Sequence, residues 1–285
     1  MPELPEVETI ARELSQTIID KKIVDVIVYN PKVIKEPKKE KFIKELKNVK
    51  IEKIIRKGKL LILELSPSQT RSSGKRKSRL TRFLTIHLRM TGQIIYPSTS
   101  LGTSPQKSTR VSFKLSNGKI IDFNDSRLLG ELRLIDDWQN LKFIKELGPE
   151  PFEIDVKKFK ELLKNRKTKI KVLIMDQKFI SGVGNLYAAE ALFRAKIDPR
   201  RPADKLSDKE KELLFREIKN VLTQAIKYGG SSVDSYVKVS GKKGDYMRFL
   251  KVYDRKGEKC YRCKGEVQRI SLSGRGTYFC PRCQK

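Results

Sequence analysis

Four cysteines constrain this chain most. All lie in the last 26 residues, as Cys260-x2-Cys263 and Cys280-x2-Cys283, with 16 residues between the pairs. This is the spacing of a zinc ribbon, in which each Cys-x-x-Cys turn presents two thiolates to one side of a tetrahedral ion. Gly265 and the run Ser273-Gly274-Arg275-Gly276 let the intervening stretch fold back as a hairpin. Two disulfides are the competing reading. The start of the chain has no basic region followed by an apolar run, so no signal peptide and a cytoplasmic location are expected, and thiols stay reduced there. Four thiolates leave no open position for water, so a single structural Zn2+ is expected.

The metal module is a small part of 285 residues, a length that suits one large or two medium domains. Lys and Arg number 63 against 34 Asp and Glu, a net charge of +29. An enzyme for neutral small molecules has no need of such a charge, whereas a polyanionic partner does, and nucleic acid leads. A basic membrane-surface protein is the rival class, but no stretch approaches the ~18 apolar residues of a spanning helix and no lone amphipathic basic helix stands out.

The hydrophobic pattern changes period along the chain. Residues 22–29, 49–57, 59–65, 81–88, 92–96, 109–115, 119–123 and 131–135 are rich in Ile, Val and Leu with partial alternation and predict strands, with Asn117-Gly118 as a hairpin turn. The first half is therefore expected to be a mostly antiparallel two-layer β-sandwich. Residues 66–80 form a basic insert with Arg71, Lys75, Arg76, Lys77 and Arg79, expected as a solvated loop. The run Leu147-Gly148-Pro149-Glu150-Pro151 marks a domain boundary. Helices are predicted beyond it at 156–164, 170–175, 185–195 and 207–227. The last starts with the capping box Ser207-x-x-Glu210 and stops at Gly229-Gly230.

Two stretches carry chemistry. In Ile180-Ser181-Gly182-Val183-Gly184-Asn185, two glycines precede a helix, where close backbone approach and unpaired N–H groups suit a phosphate. At the other end of the chain, Met1-Pro2-Glu3-Leu4-Pro5-Glu6-Val7-Glu8-Thr9 puts a proline behind a removable initiator. Removal of Met1 would free a secondary amine, able to attack an electrophilic carbon and go on to an iminium. Pro5 suits the first helical position, Glu6 and Glu8 suit the positive end of the helix dipole, and Val7, Ile10, Ala11, Leu14 and Ile18 make one apolar stripe. Proline and acids are also common at ordinary helix starts.

Further motifs join these in a fixed order: Arg56-Lys57-Gly58-Lys59-Leu60-Leu61, His87-Leu88-Arg89-Met90-Thr91-Gly92, and Val252-Tyr253-Asp254-Arg255-Lys256-Gly257 leading into the cysteines. Together they resemble the formamidopyrimidine-DNA glycosylases of the Fpg/Nei family, bifunctional base-excision repair enzymes, over nearly the whole chain. The resemblance implies an α+β multidomain chain. Its parts would be an N-terminal antiparallel β-sandwich with a leading helix (1–147), a helix-two-turns-helix DNA-binding domain with a lesion-covering loop (152–250), and a zinc-finger β-hairpin (251–285).

The implied partner is double-stranded DNA containing oxidised purines, such as 8-oxoguanine and formamidopyrimidines; a monomer is expected, as the simplest arrangement for a cleft that wraps one duplex. The implied catalytic residues are Pro2 as nucleophile at C1′, Glu3 as general acid, Lys59 at a phosphate with a part in β-elimination, and Arg275 in δ-elimination. Glu6, Met90, Arg127, Leu129, Lys167 and Asn185 would contact DNA, with Met90 and Arg127 filling the hole left by base flipping. His87, the one histidine, is expected to have a packing role. Where the family usually has Arg-Arg-Phe-Gly, this chain has Arg127-Leu128-Leu129-Gly130, and Ser108 aligns with a DNA-contacting histidine. The competing functions are an endonuclease VIII-like glycosylase for oxidised pyrimidines and a noncatalytic zinc-ribbon nucleic-acid binder. Leu4 and the long loop at residues 231–247 favour the purine branch.

Overall fold

A computed structural model describes residues 1–67, 81–97 and 106–285. Residues 68–80 of the basic insert, with Arg71, Lys75, Arg76, Lys77 and Arg79, lie outside the described residues. The described chain divides into two compact units: Met1–Lys145 with Gly229–Asp245, and Glu146–Tyr228 with Tyr246–Lys285.

The first unit opens with helix α1 (Leu4–Thr17), whose stripe Val7, Ile10, Ala11, Leu14 is buried together with Ile18 just beyond it. Then come β1 (Lys22–Val28), β2 (Ile34–Glu36), α2 (Lys39–Leu46), β3 (Val49–Lys57), β4 (Leu60–Pro67), β5 (Arg82–His87), β6 (Gly92–Ile95), β7 (Thr109–Leu115), β8 (Ile120–Asp125), β9 (Glu131–Ile135) and the short α3 (Lys142–Lys145). The strands form a nine-stranded sheet in the order β2-β9-β5-β4-β3-β1-β7-β8-β6. Each pairing is antiparallel except β2 with β9.

Strand β1 makes two layers out of one sheet. Its first residues, Lys22 and Ile23, pair with β3, and from Ile23 onward it pairs with β7, with a register shift between Ile23 and Asp25. An extra residue at such a point bends the strand and raises its twist, so the two halves turn face to face. Leu63, Leu84 and Ile86 from one half and Ile94, Phe113 and Ile121 from the other line one small interior cavity, together with Leu14 of α1 and Ile23. The expected sandwich is therefore present, built from a continuous sheet. Strand β2 and helix α2 are additions to the sequence reading; α2 buries only Phe42 and Leu46.

The second unit holds α4 (Val156–Leu163), α5 (Ile170–Ile174), α6 (Asn185–Arg194) and α7 (Asp208–Lys227), then the hairpin β10 (Gln268–Leu272) and β11 (Arg275–Phe279). Helix α7 starts on the expected capping box: Ser207 Oγ accepts from Glu210 N and Glu210 Oε2 accepts from Ser207 N at 2.7 Å. Phe159 of α4 stacks on Phe215 of α7 with ring centres 4.9 Å apart. A turn at residues 177–179, closed by Phe179 N–H on Asp176 O at 3.0 Å, and the bends that follow it join α5 to α6. The hairpin and the segment before it close over α6 through Ala189, Phe193, Val252, Cys260, Val267 and Cys280.

Candidate active site and nucleic-acid contacts

In the first unit the chain terminus is built into the fold. Glu3 is the N-cap of α1 with extended backbone, and Pro5 occupies the second helical position, one later than its spacing predicts. Pro2, Glu3 and Glu6 are all buried. The carboxylate of Glu6 takes two backbone donors: Oε2 accepts from Glu3 N at 2.8 Å and Oε1 accepts from Ser231 N at 2.9 Å. One side chain thus fixes both the helix start and the segment Gly229–Asp245. Gly230 passes so close that a Cβ there would lie 2.9 Å from Glu6 Oε1, and its φ of +78° suits glycine. The amine of Met1 pairs with Asp234 at 2.8 Å in the same segment. Asp234 was not expected from the sequence; 233 residues separate the partners and no local pattern links them.

Lys59 lies in the tight turn between β3 and β4, next to Gly58 with its φ of +57°. Arg56 ties this turn to α1: its Nε donates to Glu8 at 2.7 Å and its Nη1 donates to Gly58 O at 3.1 Å. Burial pushes the Glu8 carboxyl upward, but the hydrogen bonds from Arg56 and Arg12 outweigh it and leave the pKa lowered. His87, partly buried at the end of β5, lies edge-on to Phe143 and accepts Arg89 N–H on Nδ1 at 3.1 Å. Desolvation first, and then the Arg89 charge, push its pKa down to about 3, so the ring is neutral near pH 7.

Met90 and Leu129 are exposed at 39% and 47%, and Arg127, two residues before Leu129, is exposed as well. Asp125, fully buried at the end of β8, organises the turn that carries Arg127 and Leu129. Ser108 contributes its carbonyl, which accepts Asp125 N–H at 2.8 Å.

In the second unit Asn185 stands at the start of α6, with Gly184 as N-cap. Its amide nitrogen donates to Gly276 O at 3.0 Å, and its oxygen accepts from Lys171 Nζ at 2.6 Å. Lys171 is 1% exposed and also donates to Thr277 Oγ1 at 2.7 Å, so it joins α5, α6 and the hairpin. The glycine turn ahead of α6 is shaped by Gln177, which accepts from Gly182 N and donates to Val183 O. Neither Lys171 nor Gln177 stands out in the sequence, since one lysine among so many carries no signal. Arg275 is exposed where the hairpin turns at Ser273 and Gly274, both with positive φ. It lines a pocket of about 280 Å³ with Lys171, Asp176 and Ser273. Lys167 is exposed in the loop between α4 and α5.

The cysteines converge. Sγ of Cys260 lies 3.8 Å from that of Cys283, Cys263 lies 3.5 Å from Cys280, and all four ligand atoms fall within 4.8 Å of one another with no disulfide. Zn–S bonds of about 2.3 Å in a tetrahedron require sulfurs roughly 3.8 Å apart, so the residues fit one structural Zn2+.

Three family profiles match in chain order. They are described as the formamidopyrimidine-DNA glycosylase N-terminal domain (residues 1–132), the formamidopyrimidine-DNA glycosylase H2TH domain (147–237) and the zinc finger found in FPG and IleRS (257–285). Formamidopyrimidine-DNA glycosylases of Pelotomaculum thermopropionicum and Desulforamulus reducens are 40% and 39% identical, covering 100% of this chain and 99% of each relative. Among solved structures, Lactococcus lactis Fpg in complex with DNA containing an abasic site matches with a TM-score of 0.86 at 35% identity, over 99% of both chains. The wild-type Lactococcus lactis enzyme with DNA containing N7-benzyl-Fapy-dG matches at 0.87 and 35%, over 100% of both. No helix of the described residues is long and apolar enough to cross a membrane. With its full length matched by these DNA-repair enzymes, its fold in common with them and its zinc ligands in place, the chain belongs to the formamidopyrimidine-DNA glycosylase family.

Proposed function

We propose that this glycosylase excises oxidised purines, 8-oxoguanine and formamidopyrimidines, from duplex DNA and then cleaves the strand, with Pro2 as nucleophile once Met1 is removed. The observation that carries the reading is the buried corner in which Pro2 and Glu3 lead into α1 beside the carboxylate of Glu6. The relatives' complexes with Fapy-type and abasic-site DNA support it. The terminal amine forms a C–N bond to C1′ of the everted nucleotide while the glycosidic bond breaks and the base leaves with its electron pair. Glu3 delivers a proton to the ring oxygen as the sugar opens to an iminium. The iminium acidifies C2′; loss of that proton expels the 3′ phosphate, and a second elimination expels the 5′ phosphate.

Lys59 holds a phosphate and assists the first elimination, and Arg275 assists the second. Met90, Arg127 and Leu129 take the space of the flipped base, while Lys167 and Asn185 grip the backbone. Glu6, already tied to Ser231, meets the base beside the covering segment. In this reading residues 1–147 are catalytic, 152–250 bind DNA and cover the lesion, 251–285 are the zinc finger, and the enzyme works as a cytoplasmic monomer.

Borohydride trapping tests the proposal. Processed protein is expected to form a covalent adduct with an 8-oxoguanine duplex in preference to one with an oxidised pyrimidine. The reverse preference would move it to the pyrimidine branch, and no adduct with either would overturn the amine route.

A further inference from the structure

We infer that Asp125 is a positioning residue for reading the base opposite the lesion, because its carboxylate ties together the two segments that carry Met90, Arg127 and Leu129. The inference rests on the insertion role proposed above for those three side chains. Asp125 is 0% exposed at the end of β8. Its Oδ1 accepts the Thr91 hydroxyl and Arg127 N–H at 3.1 Å, and its Oδ2 accepts Gly130 N–H at 2.6 Å. Thr91 follows Met90 directly, while Arg127 and Gly130 bracket the turn with Leu129 at its tip. Asp125 itself is fixed on the backbone side, its N–H to Ser108 O and its carbonyl accepting Arg110 Nε at 2.6 Å.

The turn it holds would not keep this shape by local preference. Leu128 has a φ of +58°, a left-handed conformation that a leucine adopts only where its surroundings impose it. Gly130 is pressed from the other side: a Cβ there would sit 2.5 Å from Phe123 Cζ and 3.1 Å from Asp125 Oδ2. Asp125 supplies the imposing contact, one carboxylate taking the amides on either side of Leu128 and Leu129. A leucine tip stacks less well than an aromatic one, so its hold on the helix depends more on being presented at a fixed height and angle. Arg127 can discriminate an orphaned base only from a fixed backbone, and its N–H is one of the atoms Asp125 holds.

Asp125→Asn keeps the shape and replaces one acceptor oxygen by an NH2 that faces a donor. Thr91→Val removes the hydroxyl that donates to Asp125 and accepts Arg127 N–H at 3.3 Å, and leaves the turn's two amides bonded to Asp125. The readout is the ratio of trapping rates with 8-oxoguanine opposite dC and opposite dA, together with the rate on a single-stranded abasic oligonucleotide, where no opposite base exists. For Asp125→Asn we expect the dC to dA preference to fall by about tenfold to a hundredfold. The single-strand rate should fall much less. Thr91→Val should shift the preference in the same direction by a smaller factor, which keeps the test open if Asp125→Asn does not fold. Equal losses on every substrate, or an unchanged preference in both variants, would overturn the inference. Absence of trapping by the parent protein would instead count against the proposed amine chemistry.

Discussion

At the scale of single residues, the site is held by buried carboxylates whose partners are backbone N–H groups. Glu6, Asp125 and Glu190 each accept from two or more of them. Such groups fix main-chain geometry because leaving any donor unmet in the interior is costly. The glutamates at the N-terminus were legible from the sequence; Asp125 was not, because an aspartate before a turn looks the same whether it caps or organises. His87 gives a pH test at this scale. Its folded pKa is pushed down to about 3 from 6.5, so the unfolded chain takes the proton first, and stability is full above 6.5 and lost as pH falls toward 3. Glu131 works in the same direction lower down: burial raises its pKa, but Arg133 and Arg89 more than offset that, so its contribution is present above 4.5 and lost in acid. Thermal melts of His87→Gln are expected to lose the slope between about pH 6.5 and 4.5 and to keep, below that, only the part due to carboxylates such as Glu131; an unchanged profile would contradict the assignment.

At the scale of elements, strand and helix positions were readable wherever the hydrophobic period was strong. Strands β3, β7 and β9 and helix α7 fall where alternation or the capping box puts them. What escaped is what depends on distant partners. Strand β2 is three residues long and exists through its parallel pairing with β9, and β1 pairs with β3 through only its first two residues and with β7 from Ile23 onward. The loop at residues 231–247 is legible as a covering loop, but not the contacts by which Glu6 and Glu13 seat it, through the amides of Ser231 and Val239. In the second unit Glu190 does similar work for the approach to the zinc hairpin. It accepts from the backbone N–H groups of Lys251, Val252 and Tyr253, and burial raises its pKa. Glu190→Ala leaves three donors unmet, that of Val252 buried and those of Lys251 and Tyr253 part-buried, and a loss of about 2 to 3 kcal/mol is expected by denaturant unfolding. A loss under about 1 kcal/mol would mean that the linker holds itself.

At the scale of the whole molecule, charge and cysteine spacing convey the partner class and the metal directly, because a net charge is independent of the fold and a Cys-x-x-Cys pair carries its own local geometry. A net charge of +29 and exposed Lys167 and Arg275 match a polyanion. If about five phosphates are neutralised, log K is expected to fall against log salt with a slope of about −4 to −5, and a flat dependence would assign the charge to another purpose.

The central claim is narrower: the reacting atom is the nitrogen of Pro2. Peptide mapping of the borohydride-trapped adduct tests it most directly. The expected result is the sugar remnant on the N-terminal Pro2 of processed protein, and no adduct when Met1 or a tag remains in front of it. An adduct on Lys59 or another lysine, or equal trapping by the blocked protein, would contradict it.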